Sequence, residues 1–209
     1  MIEIPIEISS RHIHLSQRHV EKLFGAGYKL KPLRKLSQKG EFASTEVLTL
    51  KNGAREIAGV RVLGPARPQT QVEISQTDAY KLDIQPPLRL SGDIKGSAGL
   101  TLVGPKGKVA LREGVIVAIR HIHANPAQAR LYGLKNGQKV SVRVPSGGER
   151  ASGRAGEQAV ARGLTFDNVI VRVAPNYNWR LQLDTDEGNA AGAKNGTRAE
   201  VVKPSWWRM

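Results

Sequence analysis

Apolar and polar residues alternate along much of the chain. Ile2–Ile8 switches residue by residue between apolar and charged or proline positions, the period of a strand with one buried face. Similar runs occupy Glu46–Lys51, Ile57–Leu63, Leu100–Val103, Gly114–Ile119, Val140–Val144 and Val169–Val173. The pairs Asn52-Gly53, Gly64-Pro65, Gly104-Pro105 and Asn136-Gly137 predict turns between several of them. Helical signals are few. Ser16 predicts a cap for a helix over Gln17–Phe24. Asn125 followed by Pro126 predicts a second over Ala127–Leu131, and Gln76–Lys81 a third. The sum is a mainly β protein, mostly antiparallel, with short capping helices, built as barrels or sandwiches.

One internal echo stands out. Arg-His-Ile-His occurs at Arg11–His14 and again at Arg120–His123, each time after a hydrophobic strand and before a capped helical turn. Two barrels, or two halves of one site, would produce it. The segment 146–162 is rich in Gly, Ala and Arg and reads as an inserted mobile loop. Near the end, Trp206 and Trp207 are expected to dock on the body or on a second subunit.

Composition narrows the chemistry. The chain has 209 residues, 40% of them hydrophobic, enough for one domain or two small ones. It contains no apolar run long enough to span a membrane, and its first residues lack the pattern of a secretory signal. With no cysteine, disulfides and thiolate metal sites are excluded, and a cytosolic location is the expectation. The formal charge of +14 calls for an anionic partner or a generally basic surface. Scattered basic residues and only 5% aromatics argue against nucleic acid without excluding it, and a polyphosphate such as coenzyme A would use the same charge.

Four of the five histidines sit in the two tetrads. In a strand, side chains two apart share a face, so His12 projects with His14, and His121 with His123. Such pairs suit a cation with imidazole ligands, zinc first among them. His19 stands apart, as a surface residue on a helix. Gly64-Pro65 predicts a turn that presents Arg67, whose planar guanidinium suits phosphate. Glu73, on the alternating run Gln71–Ser75, offers a carboxylate ligand. Asp184–Asn189 reads as an acidic turn, a weak candidate for a hard cation because it lacks the full calcium-loop spacing.

Taken together, these stretches resemble the phosphate propanoyltransferases, the PduL-type phosphotransacylases. The matching segments are Ser10–Ser16, Leu63–Arg67, Gln69–Ser75, Leu102–Gly107, Arg120–His123, Phe166–Val169 and Leu183–Ala190, in the family's order along nearly the whole chain. The resemblance implies two small β-barrels with short capping helices. Residues 1–10 with 119–209 would form the first and residues 11–118 the second, with both histidine pairs near their junction. It implies two metal ions, usually zinc. His12, His14 and Glu73 would hold one, with the coenzyme A sulfur able to complete its shell; His121 and His123 would hold the other. Arg67 would bind phosphate, and Asn189 would line the coenzyme A site.

Gln182 stands where the family places a third histidine for the second ion. Gln182 or Asp184 takes its place, or water does, or the second ion is lost. The reaction implied is acyl-CoA plus phosphate giving acyl phosphate plus coenzyme A, by direct transfer, with acetyl or propanoyl as the acyl group. The resemblance further implies a homodimer. Only ten residues precede Arg11, so no microcompartment-targeting extension is visible and a free cytosolic enzyme is expected. The competing expectation is a basic, non-catalytic binding protein for nucleic acid or a larger assembly, favoured by Gln182 and the +14 charge.

Overall fold

The computed structural model describes residues 2–146 and 162–202. Two compact units emerge, Met1–Ser9 with Ile119–Met209 and Ser10–Ala118. The chain begins with strand β1 (Ile2–Ser9) and then builds the second of these units. That unit runs β2 (His12–Ser16), α1 (Gln17–Phe24), β3 (Pro32–Lys35), β4 (Phe42–Asn52), β5 (Arg55–Arg67), β6 (Gln71–Ile74), α2 (Gln76–Leu82), β7 (Leu88–Arg89), β8 (Ala98–Val103) and β9 (Lys108–Ala118). Six of its strands pair in a closed ring, β4-β5-β2-β6-β9-β8, with β3 added beside β4 and β7 beside β9. The other unit runs β10 (His121–Ala124), α3 (Pro126–Tyr132), β11 (Lys139–Ser146), β12 (Arg162–Val173), β13 (Arg180–Asp184), α4 (Thr185–Ala191) and β14 (Arg198–Val202). With β1 it closes the ring β1-β13-β10-β12-β11-β14. The protein is therefore mainly β, and its described residues form two six-stranded barrels with four short helices.

The two rings are copies. β10 lies between a parallel β12 and an antiparallel β13, as β2 lies between a parallel β5 and an antiparallel β6. His12 and His121, Glu73 and Gln182, Ser16 and Asn125, and Ser9 and Ala118 all stand at one constant offset along the chain. Each copy begins with the strand that precedes its histidine strand. That leading strand closes the opposite ring: β1 pairs with β13 and β14, and β9 pairs with β6 and β8. The two repeats have exchanged their first strands.

Each barrel is filled by alternate residues. Ile13 and Leu15 of β2, Val72 and Ile74 of β6 and Val62 of β5 enter one core; Ile122 of β10, Leu181 and Leu183 of β13 and Val171 of β12 enter the other. The intervening side chains, among them His12, His14, Glu73, His121, His123 and Gln182, therefore lie on the outer faces, yet all six are buried. Two of the helices begin at the expected caps, Ser16 and Asn125, and a third begins at Ser75, which was not among them. Ser16 caps α1, and Ser75 and Asn125 each form a reciprocal capping box, with Asp78 and Gln128.

Several expectations need correction. Gly64-Pro65 is no turn: it lies within β5 as a cis peptide, and Gly64 packs opposite Phe42. The acidic stretch from Asp184 is the start of α4, with Asp184 as N-cap and Glu187 closing a capping box, so its carboxylates serve the helix. His19 is half-buried, with its ring nitrogen 2.7 Å from the Thr70 hydroxyl. Each ring mixes two parallel pairings into an otherwise antiparallel order. Strands β3, β7, β13 and β14 went unpredicted, because they are short or interrupt their apolar positions with Arg, Gln and Glu. Residues 147–161, the interior of the expected loop, and Trp206 and Trp207 lie outside the described residues. No described helix is long and apolar enough to cross a membrane.

A Cβ at Gly64 would fall inside the van der Waals envelope of the Phe42 ring. Gly64→Ala should therefore cost about 1–3 kcal/mol by overpacking. Adding Phe42→Ala should recover part of the loss. Denaturant melts of the two variants check this, and a Gly64→Ala protein as stable as the parent would refute it.

Candidate functional site

The first centre is assembled by strand pairing in the unit Ser10–Ala118. His12 and His14 share one face of β2, and the antiparallel register sets Glu73 opposite His12 and Gln71 opposite His14. The His12 and His14 rings meet edge to face at 5.0 Å. His12 Nδ1 lies 2.8 Å from the Ser10 carbonyl. A carbonyl only accepts, so Nδ1 carries the hydrogen and Nε2 turns inward, 3.6 Å from Glu73 Oε2. The Gln71 amide donates to Glu73 Oε1 at 2.6 Å and to the Ser91 hydroxyl at 2.8 Å, while its own oxygen accepts from the Gly92 N–H. Glu73 is thereby held by one oxygen with the other facing His12.

The electrostatics follow from burial and this facing. Burial pulls the His12 pKa down, but the charge and hydrogen bond of Glu73, with the Ser10 carbonyl, outweigh it and the pKa is raised. Burial pushes the Glu73 pKa up, and the charge and hydrogen bond of His12 more than reverse that. His14 is lowered to about 2, first by burial and then by the positive charges of His12 and Arg67. It is a neutral imidazole, and its Nδ1 is buried with no hydrogen-bond partner. An orphaned buried nitrogen is costly unless something binds it. His12, His14 and Glu73 present one ligand atom each within 4.8 Å of one another, and they are the one such group of His, Cys, Asp or Glu among the described residues. Two imidazoles, a carboxylate and a missing fourth partner suit a zinc ion with an open position.

Arg67 joins this centre. The register slips between His14 and Ser16, which leaves Arg67 at the end of β5 opposite Ser16. Its charge is felt by both histidines. Arg67 Nη2 donates to Glu41 Oε1 at 2.8 Å, which steadies the guanidinium.

The second centre, in the other unit, repeats the frame with different occupants. His121 and His123 share a face of β10, and His121 Nδ1 lies 2.7 Å from the Ile119 carbonyl, as His12 does from Ser10. The two Nε2 atoms are 3.0 Å apart, close to the roughly 3.3 Å that separates two ligands of one tetrahedral zinc. His123 stacks on Tyr177 at 3.9 Å. Gln182 faces His121 in register, in the place Glu73 takes opposite His12. It donates from Nε2 to Glu7 Oε2 at 2.9 Å. Glu7, Gln182 and His121 stand in one row across β1, β13 and β10. A carboxylate only accepts, so it is the Gln182 amide nitrogen that faces Glu7. Two imidazoles and an amide oxygen make a weaker zinc set than the first centre offers.

The tetrad arginines have a structural task. Arg11 donates to Asp78 at 2.8 Å and Arg120 to Glu187 at 2.7 Å, and these acids belong to the capping boxes of α2 and α4, the helices that follow β6 and β13. They pin α2 and α4 to the starts of the histidine strands. Asn189 lies exposed on α4. Sequence reasoning missed Gln71, Ser91, Glu41, Tyr177 and Glu7. Only Gln71 carried a signal, being two residues before Glu73 and so on its face.

The sequence profile of the phosphate propanoyltransferase family matches residues 5–194. A phosphate propanoyltransferase of Thermotoga maritima is 42% identical over 200 residues, covering 96% of this chain and 89% of that protein. One from Priestia megaterium is 48% identical over 193 residues, covering 92% and 82%. One from Salmonella typhimurium is 42% identical over 192 residues, covering 92% and 85%. A match of this length runs through both histidine tetrads, Arg67 and Glu73, and the chain belongs to the phosphate propanoyltransferase family.

Proposed function

We propose that this protein transfers a short acyl group, propanoyl or acetyl, reversibly between coenzyme A and inorganic phosphate, and that it does so with bound metal. The observation that carries this reading is the pairing of a buried, orphaned His14 nitrogen and a Glu73 carboxylate with a neighbouring guanidinium, Arg67. One part suits a cation, the other an oxyanion, as the two ends of the reaction need.

The transfer poses three problems. A thiolate must leave, a phosphate dianion must approach a carbonyl, and negative charge builds on the carbonyl oxygen. An ion held by His12, His14 and Glu73 would supply Lewis acidity toward the departing sulfur. Gln71 keeps Glu73 aimed, so the donor set is formed before substrate arrives. Arg67 holds phosphate beside the thioester and removes much of the entropic cost of bringing two reactants together. A phosphate oxygen then bonds to the carbonyl carbon, the carbon–sulfur bond breaks, and sulfur leaves with the electron pair. A chain without cysteine suits direct transfer, with no acyl-enzyme. In the same reading His121, His123 and the Gln182 oxygen form the second, weaker centre, Asn189 lines the coenzyme A site, and the enzyme is a cytosolic homodimer. The alternative, a basic binding protein without turnover, draws on the +14 charge and on Gln182.

Three measurements test this. Purified protein should form acyl phosphate from propanoyl-CoA and phosphate, and a chelator should abolish the rate. His12→Ala should lower both bound metal and rate by more than the roughly 10–100-fold that loss of a supporting partner costs. Protein that holds no metal and binds RNA in a salt-sensitive manner would instead favour the binding reading.

Zinc uptake by metal-free protein should release a proton at pH below the raised His12 pKa, and the release should fade as pH rises through it. Below that pKa His12 carries a proton the ion must displace, so apparent affinity falls as pH drops. His14, lowered to about 2, is already neutral and contributes none. Calorimetry in buffers of different ionisation enthalpy measures the count, and a release near zero below the His12 pKa contradicts the assignment. Finally, Gln182→His should raise metal content per chain, and unchanged content would remove Gln182 from the second centre.

A further inference from the structure

Glu41 has no part in the mechanism above, yet it touches the residue assigned to phosphate. Its main chain is fixed by two hydrogen bonds, Glu41 N–H to the Gln38 carbonyl and Leu36 N–H to the Glu41 carbonyl. One carboxylate oxygen, Oε1, accepts from Arg67 Nη2 at 2.8 Å. The other, Oε2, is buried and has no hydrogen-bond partner. A buried carboxylate oxygen without a donor is expensive to keep. The missing donor must also be able to sit beside Arg67.

Inorganic phosphate fits that description. At neutral pH it keeps at least one P–OH, which must donate to something. Arg67 cannot receive it, because a guanidinium carries donors only. A bare carboxylate against a bare phosphate oxygen would repel; a hydrogen between them turns the contact into a charge-assisted bond. We propose that Glu41 reads the hydroxyl of the phosphate held by Arg67, and so selects hydrogen phosphate over tetrahedral dianions that carry no hydrogen. This rests on the reading of Arg67 as the phosphate residue. The pair then sorts the oxygens of the substrate. The protonated one turns to Glu41, one or two bare ones take the remaining N–H groups of Arg67, and another is left to attack. Sulfate and fluorophosphate have the charge and shape of hydrogen phosphate but lack the hydrogen. Each would strand Oε2 against an oxygen or fluorine.

The test is inhibition of acyl phosphate formation by sulfate and by fluorophosphate, each competing with phosphate. On the parent enzyme both should bind at least about tenfold more weakly than phosphate, since a site built for a hydrogen bond rejects an analogue that lacks it. In Glu41→Gln the amide can donate to a bare oxygen. KM for phosphate should rise while the inhibition constant of sulfate falls, so that their ratio collapses by about tenfold or more. If Glu41 only steadies Arg67, phosphate and sulfate weaken by the same factor, and the proposal is overturned. Parent enzyme that binds fluorophosphate as well as phosphate overturns it too, and needs no variant to fold. Arg67→Lys separates the two levels. If it leaves KM for phosphate unchanged, the assignment of Arg67 fails. If it raises KM while Glu41→Gln leaves the ratio intact, Glu41 alone is misread.

Discussion

Everything at the first centre follows from one facing, His12 Nε2 against Glu73 Oε2 at 3.6 Å in a buried place. With Nδ1 committed to a backbone carbonyl, a neutral His12 would turn a lone pair toward a carboxylate. In low dielectric that contact is unfavourable, and it becomes favourable when positive charge lies between the two. A proton supplies that charge in the metal-free state, which is why the two pKa values move apart. A divalent ion would supply more, and would also take the neighbouring His14 nitrogen, which no protein group satisfies. The site is thus unbalanced by one cation, and the unbalance is written into the backbone, because Ser10 chooses the tautomer and the β2–β6 register chooses the opposite residue.

The second centre keeps the backbone frame and carries different side chains in it. The tautomer device recurs, with the Ile119 carbonyl in the role of Ser10. The residue opposite is Gln182 in place of Glu73, and the next residue in the row is Glu7, where the first centre has Ile116. The negative charge has moved one strand outward. Gln182 faces His121 in register and spends its amide nitrogen on Glu7. A neutral oxygen attracts a cation less than a carboxylate does, and His121 and His123 are already close enough to satisfy each other at 3.0 Å. The two centres therefore differ in how strongly each needs an ion, although their frames match strand for strand.

Sequence periodicity was a good guide wherever burial was one-sided. Ile2–Ile8 and Val140–Val144 alternate because every second residue enters a barrel, and both are strands; Ile57–Leu63 is a strand too, its core residues Ile57, Val60 and Val62 changing phase at a register shift. Ser16 and Asn125 announced their helices, since a cap is a local device. It failed where both faces of a strand are buried or polar for other reasons. Arg180–Asp184 offers only two core residues, Leu181 and Leu183, on either side of Gln182, which faces His121. Glu73, His12 and His14 were legible as donors through alternation and the repeated tetrad. Glu41 and Glu7 were not, because nothing in a sequence pairs residue 41 with 67, or 7 with 182, until strands have folded. Gly64-Pro65 misled for a similar reason: a dipeptide that usually turns a chain is held inside a strand by a ring across the ladder.

The exchanged first strands make each ring depend on the other repeat, whichever ligands its centre carries. β1 runs straight into the strand of His12 and His14, yet it closes the ring of His121 and His123; β9 runs into the strand of His121 and His123, yet it closes the ring that carries Glu73. Deleting either repeat would remove a ring member from the other and expose two unpaired strand edges where β13 and β14, or β6 and β8, now find partners. Selection acting on the first centre alone would therefore preserve the fold of the second. Its side chains would be free to drift as long as Leu181, Leu183 and Ile122 still filled the barrel. A pattern of intact core, intact tautomer device and altered ligand is what that constraint would leave behind.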